Sequence, residues 1–200
     1  MKKFLTLIIL FHIVYTVNAQ VSFGPKAGLN VALTSSNNPN IRLDPITVLF
    51  NGGAFVNDKF AQQFAGQVEL FYSGEGAKYK NKGNATVFTN SLGYLNIPLL
   101  FQFVSKGGFF VQTGPQLGFL LSATASGGGN SEDIKSEVNS TKFSWCFGIG
   151  QEIAHKLGVD LRYAAGLSKI NSTSTYTDNS SVLSIGLFYA LHAKGNTSTK

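Results

Sequence analysis

Segments in which every second residue is apolar recur along the chain. In FFVQTGPQLGFLL (109–121), bulky apolar residues occupy most odd positions, and the even positions include Gln112, Gly114 and Gln116. Such alternation predicts a β-strand whose two faces meet different environments. Repeated strands of about ten residues, apolar on one face and small or polar on the other, are typical of outer-membrane barrels.

Turn residues and alternation together predict eight strands. Their approximate ranges are 21–34, 46–57, 60–74, 92–105, 108–123, 142–155, 157–169 and 181–193. Each is long enough to cross a membrane at the tilt that barrel strands adopt. The 22 glycines disfavour helices. The chain is therefore predicted to be all-β, an eight-stranded antiparallel up-and-down transmembrane β-barrel.

The predicted connections alternate in length. Tight polar turns are expected at 57–59, 105–107 and 155–156, and long links at 35–45, 75–91, 125–141 and 169–180. Short periplasmic turns and long outer loops are the pattern of a transmembrane barrel, which would place both chain ends in the periplasm.

In most predicted strands nearly all the bulky apolar side chains lie on one face, which suits a lipid-facing exterior and a narrow interior. The second strand is the exception. There Phe50 and Val56 on one face hardly outweigh Leu49 and Phe55 on the other. The sequence leaves open which face of this strand is outside.

The N-terminus has the features of an export signal. Lys2 and Lys3 precede an apolar run over 4–17, and Ala19 ends a short small-residue cleavage site. We expect a cleaved signal peptide over 1–19, a barrel domain over 20–193 and a polar C-terminal tail over 194–200. Loss of the two lysines would lower the formal charge from +6 to +4.

Four segments resemble the PorT-like outer-membrane β-barrel domain family. They are GPKAGLNVA (24–32), YLNIPLLFQF (94–103), FFVQTGPQLGFLL (109–121) and GVDLRYAAGLSKI (158–170). The resemblance implies an eight-stranded, porin-like barrel of a Gram-negative bacterium, without a catalytic motif; one family member is implicated in assembling a protein-secretion system. The chain departs from such barrels at its end, where the polar stretch LHAKGNTSTK follows Phe188 and Tyr189 instead of a terminal aromatic residue.

Five charged residues fall at inward-facing positions. They are Lys26, Glu69, Glu152, Asp160 and Arg162. Because an isolated charge inside a small barrel is costly, they are predicted to form a salt-bridge and hydrogen-bond network that fills the lumen. The alternative is an ion or proton path along this network. Eight strands leave an interior barely wide enough for its own side chains, so no open diffusive pore is expected.

The sequence offers little for catalysis or for a metal. Of the three histidines, His12 leaves with the signal, and His155 and His192 fall at the periplasmic end, without a serine-nucleophile motif. No His/Cys spacing indicates a metal site. We therefore predict no enzyme activity, no metal and no cofactor.

Two further features point to structural roles. The acidic residues Glu132, Asp133 and Glu137 lack the spacing of a calcium-binding EF-hand and are expected in a solvated loop. The single cysteine, Cys146, is predicted to be a small buried filler. No basic run accompanies the positive charge, so nucleic acid is not expected as a partner.

The predicted function is a structural or surface-interaction role in the cell outer membrane. Loops 75–91 and 125–141 would bind a surface or secretion-system partner. Other expected partners are outer-membrane lipid and, during biogenesis, the barrel-insertion machinery; the barrel is expected to be a monomer. The alternatives are a small channel or transporter, and a soluble lipocalin-like binder of a small apolar ligand.

Overall fold

A computed structural model describes residues 20–36, 41–44, 47–81, 87–153, 156–168 and 178–192. The predicted signal peptide, the predicted tail, His155 and most of the predicted link at 169–180 lie outside these residues. The long strands are β1 (Gln20–Ser36), β3 (Thr47–Lys59), β4 (Phe64–Asn81), β5 (Val87–Val104), β6 (Phe109–Gly127), β8 (Thr141–Glu152), β9 (Leu157–Gly166) and β10 (Asp178–Tyr189). The short strands are β2 (Ile41–Asp44), β7 (Asn130–Asp133) and β11 (Leu191–His192).

The eight long strands close into an antiparallel barrel. Each pairs with the next long strand along the chain, and β1 pairs with β10 from Lys26 opposite Phe188 to Ser36 opposite Asp178. Closure satisfies the strands' backbone hydrogen bonds inside the protein, as a lipid environment requires. The predicted fold class is confirmed. No helix in the described part of the chain has the length and apolar character needed to cross a membrane.

The β4–β5 strand pair extends well beyond its predicted range. β4 and β5 remain paired up to Lys80 opposite Val87, so the prediction of a loop over 75–91 was wrong for most of its length. Beyond the lipid, both faces of a hairpin can be polar. The apolar alternation that reveals a strand therefore stops before the strand does.

The predicted loop at 125–141 is also partly a hairpin. β6 continues to Gly127 and pairs with β7 across a tight turn at Gly128 and Gly129, whose φ angles are 60° and 88°. Positive φ at two successive residues is the geometry of the tight hairpin turn that glycine favours. The chain then leaves the sheet over 134–140 and rejoins it at β8.

This excursion, which we name the mouth segment (134–140), packs on the inside of the barrel. Its Ile134 and Val138 contact an apolar cluster on β5 and β6 that includes the inward-facing Tyr94. Backbone bonds hold both ends of the segment to β6, from Ile134 N to Ala123 O and from Leu120 N to Ser140 O. The mouth segment therefore covers part of the extracellular end of the lumen.

The outer surface is a continuous apolar band. Exposed side chains include Phe147 (54%), Ile185 (58%) and Leu187 (56%), and they alternate with less exposed neighbours along their strands. Large exposed apolar areas of this kind are the lipid contact surface of a membrane barrel.

The ambiguous second strand, β3, is resolved by contacts inside the barrel. Phe50 is 57% exposed on the outer face, whereas Phe55 is 5% exposed and faces inward. The Phe55 ring meets the Phe188 ring edge-on at 5.8 Å between centroids. A ring partner on β10 therefore decides the orientation, and such a partner cannot be read from β3 alone.

Candidate functional site

The charged residues of the lumen meet across the barrel. Arg162 on β9 donates two hydrogen bonds to Glu69 on β4, at 2.7 Å from Nη1 to Oε2 and 2.6 Å from Nη2 to Oε1. Both side chains are buried. A bidentate guanidinium–carboxylate pair is a strong, charge-assisted interaction with a fixed geometry. It connects opposite parts of the wall.

A second cation and a second anion complete this group. Lys26 Nζ lies 2.6 Å from Asp160 Oδ2 and 3.3 Å from Glu69 Oε1. Arg162 Nη2 is 3.5 Å from the same Asp160 oxygen. The structure thus places four of the five predicted residues in one cluster of two cations and two anions, which we name the charge cluster. Its formal charge is zero, as burial of ions requires.

Glu152 does not join the charge cluster. It is exposed at the end of β8, and within the described residues its carboxylate makes no bond to Lys26 or Arg162. Its position in the alternating pattern is inward, but a side chain at the last residue of a strand lies at the rim, in water. Alternation alone does not report depth in the barrel.

Amide side chains continue the network toward the periplasmic end. Gln67 donates to Glu69 Oε1 at 2.6 Å, and Gln112 donates to Asp160 Oδ2 at 3.3 Å. Gln102 donates to both glutamines, at 3.1 and 3.0 Å, and Asn57 donates to Gln102 at 2.7 Å. These bonds hold the carboxylates of the charge cluster in place.

A second buried ion pair was missed by the sequence analysis. Lys142 Nζ on β8 donates to Glu75 on β4 at 2.6 Å from Oε1, and it also contacts Oε2. Ser180 donates to the same carboxylate at 3.2 Å, and the Tyr94 ring centroid lies 4.8 Å from Nζ. Glu75 lies an even number of residues after Glu69 and therefore on the same face of β4. It would have been found if the predicted strand had not ended at residue 74.

Polar and small side chains fill the space between the two ion pairs. Asn51 donates to Asn30 at 2.6 Å, Asn30 donates to Ser73 at 2.8 Å, and Ser73 donates to Glu75 at 3.5 Å. Beside them Cys146 is fully buried in an apolar cluster, in agreement with its predicted role as a filler. The described interior is therefore packed and hydrogen-bonded along much of its length.

Three phenylalanine rings close the packed region on the periplasmic side. Phe188 contacts Phe55 at 5.8 Å and Phe110 at 6.0 Å between centroids. Gly158 faces Phe188 across the strand pair, and a Cβ added there would overlap the Phe188 ring. Because Gly158 has no side chain, the Phe188 ring can lie close to the backbone at this position.

Beneath the rings lies a cavity of about 550 Å³, which we name the vestibule. Its inner end includes Lys26 and Asp160, and its rim includes the turn residues Gln62, Ser105 and Lys106. Because the short turns of such barrels are periplasmic, the vestibule faces the periplasm.

The described residues contain no group of three or more His, Cys, Asp or Glu side chains placed to hold a metal ion. His192 is exposed at the vestibule rim.

Comparison with known proteins agrees with this architecture. Residues 18–172 match the family model described as the outer membrane protein beta-barrel domain. The chain belongs to this family. It is accordingly an outer-membrane barrel protein. No curated protein matches the sequence.

Three solved barrels share the fold. Ail, the attachment invasion locus protein of Yersinia pestis, has a TM-score of 0.53 and 14% identity, covering 86% of this chain and 99% of its own. Neisserial surface protein A has a TM-score of 0.51 and 18% identity, covering 84% and 96%. OprG from Pseudomonas aeruginosa has a TM-score of 0.52 and 12% identity, covering 88% and 99%. Such low identities establish the common fold alone.

Proposed function

We propose that this protein is a monomeric surface-interaction barrel that presents its extracellular hairpins to a partner and conducts no solutes by diffusion. The observation that carries the proposal is the packed lumen. The charge cluster, the Glu75–Lys142 pair and the mouth segment occupy successive levels of the barrel. If one of these side chains moved away to open a path, its buried charged partner would be left unpaired, at a high cost in free energy. These contacts therefore support a fixed, structural interior.

The binding surface would be formed by the hairpins that extend beyond the apolar band. The β6–β7 hairpin exposes Ser131, Glu132 and Asp133, and the β4–β5 hairpin exposes Lys78. Exposed polar hairpins on a rigid scaffold are common positions for recognition. The names of two structural relatives, an attachment protein and a surface protein, fit such a role. The resemblance to the PorT-like family extends the proposal to a partner in a secretion system.

Site-specific photo-crosslinking in intact cells tests the proposal. A photoreactive residue at Glu132, or at Lys78 on the β4–β5 hairpin, should give a discrete adduct with a cell-surface component, because both side chains are exposed. The matched control is the same residue at Lys106, in an exposed turn at the opposite end of the barrel. Equal adducts at both positions, or none at Glu132 and Lys78, would contradict a specific outer surface.

The second candidate function is a small channel. One observation favours it: hydrogen-bonded polar groups run from the vestibule through the charge cluster, and a second polar chain reaches Glu75. Reconstitution into planar bilayers separates the two functions. The surface-interaction proposal expects no discrete current steps from the intact barrel. Steps that disappear in an Arg162→Met variant would instead support conduction along the network.

A further inference from the structure

The vestibule is built differently from the rest of the lumen. Its volume of about 550 Å³ falls in the range of small-molecule sites, roughly 300–1,000 Å³. The ion-paired side chains of the charge cluster lie at its inner end, and its rim consists of two short turns and the ends of strands. The vestibule is therefore a one-ended pocket reached from the periplasm.

Amides are the most frequent kind of polar side chain in the lining of the vestibule. Six of them belong to Asn57, Gln62, Gln63, Gln67, Gln102 and Gln112. An amide offers two donors and an acceptor oxygen, so it can meet a hydroxyl group in either direction. The internal bonds already described hold four of these amides in fixed positions, whereas Gln62 and Gln63 are exposed at the rim. The pocket combines a rigid inner set of amides with an accessible outer set.

Aromatic rings contribute apolar surface to the vestibule. Phe55, Phe110 and Phe188 all belong to the lining, and Phe188, which contacts both of the other rings, is the most accessible of the three. Amides beside ring surfaces suit a ligand that carries hydroxyl groups on its edge and C–H groups on its faces.

The charges of the lining favour a neutral ligand. Lys26 and Asp160 already pair with each other at the inner end through Asp160 Oδ2, and the buried Asp160 Oδ1, which has no hydrogen-bond partner among the described residues, is left as an acceptor for a ligand hydroxyl. The other lining charges are Lys59, Lys106 and Glu152 at the rim, where both signs occur and water screens them. A charged ligand would find no buried charge that is not already part of an ion pair.

We propose that the vestibule binds a neutral saccharide presented from the periplasmic side. A pyranose has both the hydroxyl edge and the C–H faces that the lining matches. The saccharide can come from a soluble oligosaccharide or from a glycan strand of the cell wall. This inference goes beyond the proposed function, because it involves the end of the barrel opposite the extracellular hairpins.

Nuclear magnetic resonance titration of the mature barrel in micelles provides the test. The detergent must lack a sugar headgroup, so lauryldimethylamine oxide is suitable and alkyl glycosides are not. The probes are cellobiose, N,N′-diacetylchitobiose and inorganic phosphate. We expect saturable shifts of the backbone amides of Ser22 and Gly108, which line the vestibule, with either disaccharide. The amide of Ser131 on the β7 strand should not move, and high salt should leave the affinity unchanged.

A rim variant locates the binding. The double substitution Gln62→Ala and Gln63→Ala removes two exposed amides and leaves the buried network intact, so the barrel should fold with unchanged heat-dependent gel mobility. We expect saccharide affinity to fall about tenfold, as the loss of two hydrogen bonds implies. The matched control Ser131→Ala, exposed at the other end, should bind as tightly as the parent protein.

Several outcomes would overturn the inference. They are no saturable shift with either disaccharide, a salt-sensitive response to phosphate alone, or an unchanged affinity in the rim variant. A pellet assay with insoluble cell-wall glycan then separates the two sources. Co-sedimentation that the rim variant loses identifies the cell-wall strand, and disaccharide binding without co-sedimentation identifies a soluble sugar.

Discussion

Removing the Glu69 carboxylate provides the most direct measure of the charge cluster. In Glu69→Ala, Arg162 loses both of its short bonds, at 2.7 and 2.6 Å, and keeps only the 3.5 Å contact with Asp160. The cluster changes from neutral to a net charge of one, in a buried site. Breaking a buried pair by removing one partner costs about 3–5 kcal/mol, so we expect the free energy of unfolding to fall by that amount.

The assay is equilibrium unfolding by urea in micelles, and the folded fraction is measured from the heat-dependent gel shift. A double variant, Glu69→Met with Arg162→Met, removes both charges of the bidentate pair and leaves Lys26 bonded to Asp160. It should lose clearly less stability than the sum of the losses in Glu69→Met and Arg162→Met measured separately, which is the signature of direct coupling. Glu152→Gln is the matched control and should change stability by less than about 0.5 kcal/mol, because this carboxylate is exposed.

The reasoning would be refuted if Glu69→Ala cost less than about 1 kcal/mol, the value of an exposed pair. Additive effects in the double variant would also refute it. Either result would mean that water enters the cluster and solvates the guanidinium.

Three further predictions address the wall and the packing. Gly158→Ala should destabilise the barrel by about 1–3 kcal/mol, because the new methyl group overlaps the Phe188 ring; adding Phe188→Leu should restore much of the loss in the same unfolding assay. Ile185→Arg should cost about 2–4 kcal/mol, since this side chain is exposed within the apolar band, whereas Ile185→Met should be close to neutral. Equal effects of the two substitutions at Ile185 would argue that the residue does not face lipid. Cys146 should resist a maleimide in the folded barrel and react after unfolding, as mass spectrometry would report; rapid labelling of the folded protein would contradict its burial.

The sequence predicted the all-β class, the eight membrane-crossing segments and most inward and outward faces. These features depend on the alternation of apolar and polar residues, which is local and has a period of two. The limits of the prediction are also local. Above the lipid the alternation fades, so the extension of β4 to Asn81 and of β6 to Gly127 went unrecognised.

Identifying the candidate site required the distances between side chains as well as the face of the strand on which each one lies. Lys26, Glu69, Asp160 and Arg162 were singled out by their inward positions, and the structure brings them together; Glu152 satisfies the same parity but lies at the rim. Glu75 and Lys142 are separated by 67 residues in the chain. No local pattern links them.

The architecture, and the side of the wall on which most residues lie, could therefore be predicted from the sequence, because both follow from the geometry of a single strand between lipid and lumen. Which charges pair, which aromatic rings meet and where the interior stays open could not be predicted in this way. Those outcomes depend on the strand registers and on barrel closure between β1 and β10, which set the relative height of residues far apart in the chain. The face on which a side chain lies is set by its own strand, whereas the residue with which it pairs is set by the closed barrel.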